Sequence, residues 1–168
     1  MALFEETERD AEYQRARKRA MYLLGSRPYS TAALKEKLLN NYSEETADRV
    51  IEDMTRYGFL DDEDYAKRLA GSIINGKKYG LRRAKAEMRR KGVPDDLIEL
   101  ALGEFSREDI EDSLIGLVRK KYSDRIYDRE DRQKVIAALA RRGYGFSEIK
   151  TAITAVLEEL EEIEDEEE

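Results

Sequence analysis

The sequence predicts an all-α protein built as three tandem copies of a three-helix unit. Two observations carry this. Charged residues make up 41% of the chain and hydrophobic residues 40%, with ten Gly and two Pro. That balance suits helices with ionic outer faces, and no alternating stretch is long enough to require a sheet. The second observation is a repeat of about fifty residues. Tyr42, Ala47, Val50, Ile51 and Met54 recur 51 places on as Val93, Ile98, Ala101, Leu102 and Phe105. A second shift of 51 reaches Tyr144, Ile149, Ala152, Ile153 and Val156, so one helical stripe of apolar residues holds register three times.

Taken in order, residues 1–12 form an N-terminal extension that either lengthens the first helix or lies outside it. Three units then span 13–58, 61–105 and 107–160, and residues 161–168 form an acidic tail, expected to fray after about Ile163 because its charges repel. The first helix of each unit carries Ala16, Ala20 and Leu24, then Tyr65, Leu69 and Ile73, then Leu114, Val118 and Tyr122. The second carries Leu34 and Leu38, Ala84 and Met88, Val135 and Leu139, with one residue fewer before Tyr42. Ser30, Ser43, Asp61, Asp95, Ser106 and Ser147 stand where N-caps are wanted. Gly58, Gly92 and Gly143 stand where a left-handed residue closes a helix.

Much chemistry is excluded. There is no Cys and no His, which removes disulfides, thiolate nucleophiles, the usual metal ligand and the usual general base. "NGKKYG" (Asn75–Gly80) lacks the spacing of a phosphate loop. "DDED" (Asp61–Asp64) reads as a cap and a negative first turn rather than a metal site. No enzyme activity, cofactor or metal is expected. The N-terminus is too acidic for a signal peptide, and no window approaches the roughly eighteen apolar residues of a membrane span, so a soluble, cytoplasmic protein is expected.

The charge is unevenly placed. From Lys77 to Lys91 there are eight Lys or Arg and one acid, a local charge of +7 in a chain that sums to −7. On a helix beginning at Leu81, the core side takes Leu81, Ala84 and Met88. Arg82, Arg83, Lys85, Arg89 and Arg90 then sweep an arc of roughly 160° on the other side, at about 100° per residue. Lys91 and Arg142 share a position at the ends of second helices, where cations favour the negative pole of the dipole. Arg82, Lys85 and Arg89 have no basic counterpart in the third copy, and so point to a binding face. A second cluster, Arg119, Lys120, Lys121 and Arg125, is interleaved with Tyr122 and Tyr127 and diluted by Asp124 and Asp128. Phosphate or an acidic protein surface could serve as partner, and the segregation suits an elongated protein lying along another assembly.

The junction "GFLDDEDYA" (Gly58–Ala66), followed by "GLRRAKAEMRRKGV" (Gly80–Val93), resembles the signature of the RecX family, bacterial regulators of the RecA recombinase. The opening "ARKRAMYLLGSRPYSTAALKEKL" (Ala16–Leu38) is similar to the family's first copy, and the resemblance covers about residues 13–157. It implies an elongated, curved, all-α array of three tandem three-helix repeats. It also implies a regulator of homologous recombination and DNA repair without catalytic residues. Such proteins bind RecA or lie in the groove of its DNA filament, lowering strand exchange, ATP hydrolysis and co-protease activity. Some also contact DNA, so weak, sequence-independent DNA contact is expected, from a monomer. Two departures stand out. Ser72 occupies a position where members often carry Arg, and the acidic tail after Glu158 is not part of what the resemblance implies.

The candidate partner-binding residues are thus Lys78, Arg82, Arg83, Lys85, Arg89, Arg90, Arg119, Lys120, Lys121 and Arg125. Two other classes stay open: a helix-turn-helix-like DNA-binding protein, and a plain interaction scaffold whose basic face is only solvated.

Overall fold

The computed structural model describes residues 1–167, so Glu168, the last residue of the acidic tail, lies outside the described residues. The first unit contains α1 (Ala2–Ser26), α2 (Thr31–Leu39) and α3 (Glu44–Arg56). The second contains α4 (Asp62–Gly71), α5 (Leu81–Arg90) and α6 (Asp95–Leu102). The third contains α7 (Arg107–Tyr122), α8 (Arg129–Arg141) and α9 (Phe146–Glu167). Among the described residues there is no strand. Within each unit the first and third helices pack most extensively, and the second helix lies across them.

Of the fifteen stripe residues, twelve are buried, while Tyr42, Ile51 and Phe105 are half-buried. The pairs Leu34–Leu38, Ala84–Met88 and Val135–Leu139 are all buried. Truncating one of these leucines, or Met88, to alanine in a closed core costs about 2–5 kcal/mol. The buried residues separate into two bodies: unit 1 has its own core, whereas units 2 and 3 share one continuous core.

Helix ends follow the local chemistry in most places. Ser30, Ser43 and Asp61 accept amide hydrogen bonds three residues on, and Ser106 forms a reciprocal capping box with Asp109. Gly92 and Gly143 adopt φ of 83° and 94°. Behind them, Val93 N–H donates to the Met88 carbonyl at 3.1 Å and Tyr144 N–H to that of Leu139 at 3.3 Å, the six-to-one closure of a left-handed helix end.

Of the two readings open for residues 1–12, they lengthen the first helix: α1 starts at Ala2 and runs through them. Three details differ from the sequence reading. Asp95 is not a cap but the first helical residue, because Pro94 holds the extended position before it and the Asp95 carboxylate is taken by Arg89. Ser147 lies inside α9, whose entry is fixed instead by the Glu148 carboxylate accepting from Gly145 N–H at 2.6 Å. Finally α9 continues to Glu167 rather than fraying after Ile163; glutamate is a good helix former, and propagation of an established helix is easier than its initiation. Asp128, taken above as a diluting charge, caps α8 by accepting from Glu130 and Asp131 N–H.

The units join by one recurring contact. The start of each second helix meets the end of the next unit's second helix. At the first joint the Ser30 hydroxyl donates to the Lys91 carbonyl at 2.6 Å, beside Gly92. Thr31 N–H donates to Asp62 at 2.7 Å. At the second joint Gly80 N–H donates to the Arg142 carbonyl at 2.8 Å, and Arg83 reaches the Arg141 carbonyl at 3.1 Å. A Cβ at Gly143 would lie 2.4 Å from Arg83 N, so only glycine lets the chains approach. Helices α2, α5 and α8 therefore run head to tail, with a positive helix start against a negative helix end at each joint.

Candidate partner-binding site

Helix α5 sits at the middle of that row, which decides what its cations do. Arg83 is structural: besides its bond across the joint, its guanidinium lies 4.1 Å over the Tyr79 ring and 3.6 Å from Glu87. Glu87 also takes Lys77 at 2.9 Å. Lys77 holds the Glu87 carboxyl below its ordinary range, against the opposing effect of partial burial.

The outer face of α5 is partly neutralised by the helix that follows it. Lys85 pairs with Glu99 at 2.7 Å, and Arg89 with Asp95 at 2.7 Å. Both acids belong to α6. Arg82 and Arg90 are exposed and within salt-bridge distance of no carboxylate among the described residues. Arg90 also borders the groove at the first joint, with Tyr29, Tyr65 and Lys37.

The second cluster divides in the same way. Arg119 is held by Glu159 in a two-bonded pair, at 2.8 and 2.7 Å. Lys120, Lys121 and Arg125 are exposed and make no salt bridge among the described residues; Lys121 lies 5.7 Å from the Tyr122 ring centre.

The two clusters meet. Lys78, from the loop before α5, lines one cleft of about 660 Å³ together with Lys120 and Lys121 of α7. Lys78 is there because of an unusual backbone. Helix α4 ends in a π-helical turn, Ser72–Gly76, and Lys78 then adopts φ of 55°, the one left-handed non-glycine among the described residues. Its carbonyl accepts from Tyr144 Oη at 3.0 Å and from Arg142 at 3.3 Å. Arg142, expected as a helix-end cation, is thus also a bridge between units.

One group escaped the sequence reading. Arg15, Arg17, Lys18 and Arg19 are exposed on α1 and form no salt bridge among the described residues. Their run "RARKR" was visible, but it alternates with the core residue Ala16 and precedes the core residue Ala20. No group of three or more potential metal ligands occurs among the described residues, and no described helix is long and apolar enough to cross a membrane.

Comparison with known proteins agrees with this architecture. Models of the first, second and third three-helix domains of RecX match residues 16–54, 61–102 and 108–153. The regulatory protein RecX of Prosthecochloris aestuarii is 32% identical over 150 residues, covering 88% of this chain and 97% of that protein. That of Trichlorobacter lovleyi is 33% identical over 130 residues, covering 74% and 84%. A crystal structure of RecX from Lactobacillus salivarius superposes with a TM-score of 0.79 at 19% identity, over 88% of this chain and 97% of that one. Three domain matches in sequence order, relatives of similar length and a common fold place the chain in the RecX family of regulatory proteins.

Proposed function

We propose that this protein is a non-enzymatic, cytoplasmic regulator of homologous recombination and DNA repair. As a monomer it binds RecA, or RecA–DNA filaments, and inhibits their recombinase, ATPase and co-protease activities. Family membership supports the class of partner. The observation that carries the surface is the meeting of Lys78 with Lys120 and Lys121, which joins the cations of units 2 and 3 into one field. An array of equivalent modules can touch successive subunits of a periodic partner and hinder the conformational cycle that hydrolysis drives.

Arg82, Arg90, Lys120, Lys121 and Arg125 are the residues best placed for first contact, since none is committed to a carboxylate among the described residues. Lys85, Arg89 and Arg119 come with acids attached and contribute less long-range attraction. Direct DNA contact is expected to be weak, sequence-blind and strongly salt-dependent.

The test is RecA's single-strand-DNA-stimulated ATP hydrolysis with added protein at substoichiometric to equimolar ratios. Inhibition is expected, and an Arg82→Glu/Arg90→Glu variant should weaken it. Absence of inhibition by folded protein at low salt rejects this function. A helix-turn-helix reading is disfavoured by the joint itself. Readers of that class present the start of the recognition helix to base edges, whereas Gly80 at the start of α5 donates to Arg142 of the next unit.

A further inference from the structure

We infer that the cleft between units 2 and 3 is a binding site for a nucleoside polyphosphate. Three features converge on it. Its floor is one face of α7, with Ser113, Gly116 and Leu117, where the small residues Ser113 and Gly116 leave room above the helix. Its rim carries three lysines, Lys78, Lys120 and Lys121, none of which forms a salt bridge among the described residues. The third is the backbone that delivers Lys78.

That backbone is costly. An L-residue held in the left-handed region gives up about 1–2 kcal/mol relative to glycine, and a π-helical turn directly precedes it. Both kinds of irregularity collect at ligand sites. Glycine would meet the conformational requirement at φ 55° without strain, so what lysine adds is its ammonium group. The Tyr144 and Arg142 hydrogen bonds to the Lys78 carbonyl fix the residue beside the cleft.

The shape and chemistry select the ligand. About 660 Å³ is within the range that encloses a nucleotide-sized molecule and is much larger than a single phosphate needs. Three lysines act as point charges for a phosphate chain. Gly116, Leu117 and the lysine stems offer an apolar bed for a base, and Asp112 at the edge can accept from ribose hydroxyls or an exocyclic amine. A nucleic-acid strand fits less well: the residues lining the cleft include no aromatic platform on which successive bases could stack. A bound polyphosphate would neutralise three cations of the proposed docking field, making occupancy a means of regulating it.

The inference can be tested on the protein alone, so its outcome is separate from any effect on RecA. Titration calorimetry with ATP, inorganic tripolyphosphate, AMP and a short single-stranded oligonucleotide is the direct measurement. ATP should bind with one-to-one stoichiometry, tripolyphosphate should compete with it, and AMP should bind at least about tenfold more weakly. Lys78→Gly keeps the backbone and removes the ammonium. It and Lys120→Gln/Lys121→Gln should each weaken ATP binding about tenfold or more, the loss expected for a charge-assisted contact, while Lys37→Gln in unit 1 should not. No ATP binding below about 1 mM, unchanged binding in a folded Lys78→Gly/Lys120→Gln/Lys121→Gln variant, or displacement of ATP by the oligonucleotide at equal phosphate concentration would each overturn it.

Discussion

The Ser30 hydroxyl serves two helices at once: it accepts from Ala33 N–H at 3.2 Å as the cap of α2 and donates to the Lys91 carbonyl at the end of α5, at 2.6 Å. It is fully buried. A serine that satisfies an orphan donor on one unit and an orphan acceptor on another is a local cap and a tertiary joint together.

Replacing it by alanine should therefore cost more than an ordinary cap. Ser30→Ala is expected to lower unfolding free energy by about 2–3 kcal/mol, against about 1 kcal/mol for Ser43→Ala at the exposed start of α3. Urea denaturation of the two variants checks the order. Equal losses would mean that the bond to Lys91 contributes nothing.

The left-handed glycines give a graded series. Gly58 has φ of 78° with open space around it, so Gly58→Ala should cost about 1–2 kcal/mol of backbone strain. Gly92→Ala adds a contact of 2.9 Å to Ser30 Oγ. Gly143→Ala adds one of 2.4 Å to backbone that cannot yield, and should exceed about 3 kcal/mol. Thermal unfolding should rank them in that sequence.

Removing the acids of α6 should strengthen the proposed regulatory effect. Asp95→Asn and Glu99→Gln free Arg89 and Lys85 without adding a charge to the surface arc. The half-inhibitory concentration in the RecA ATPase assay is expected to fall about threefold or more at low salt, the difference shrinking as salt is raised. An unchanged value would place the contact away from this face of α5.

Acid stability has a defined sign. Lys77 holds the Glu87 carboxyl below its ordinary 4.5, and the Thr46 hydroxyl, with Ser43 behind it, does the same to Glu12. A carboxyl depressed in the folded state contributes stability that is complete above its unfolded value and lost as pH falls through the folded one. Stability should thus decline from about pH 5 downward, and Glu87→Gln should be less stable at neutral pH with a shallower acid decline. Denaturant midpoints across that range measure it.

The fold was legible because each unit repeats its apolar stripe at one interval, and units 2 and 3 end their second helix on the same kind of glycine, Gly92 and Gly143. The state of the cations was not legible. Asp95 is six residues from Arg89, and Glu99 is fourteen from Lys85; only the turn at Gly92 brings them opposite. Arg83 looked like one more member of a basic arc, but it donates to the Arg141 carbonyl, 58 residues away in the next unit. Lys78, Lys120 and Lys121 belonged to separate runs until the α4–α5 loop placed the first beside the other two. Sequence spacing locates charges on one helix, whereas neutralisation depends on what the neighbouring helix presents.

The head-to-tail row has ends, and their chemistry differs from that of its joints. Where Gly92 and Gly143 let a neighbouring unit approach, the shorter loop after α2 has Asn40 and Asn41 and no left-handed residue. Where Ser30 and Gly80 receive that approach, α8 begins with Asp128, whose carboxylate already occupies its own helix start and would repel an incoming carbonyl end. Neither outer face repeats the groups of the internal joint. The row is a ruler with two unlike, closed ends, three divisions long.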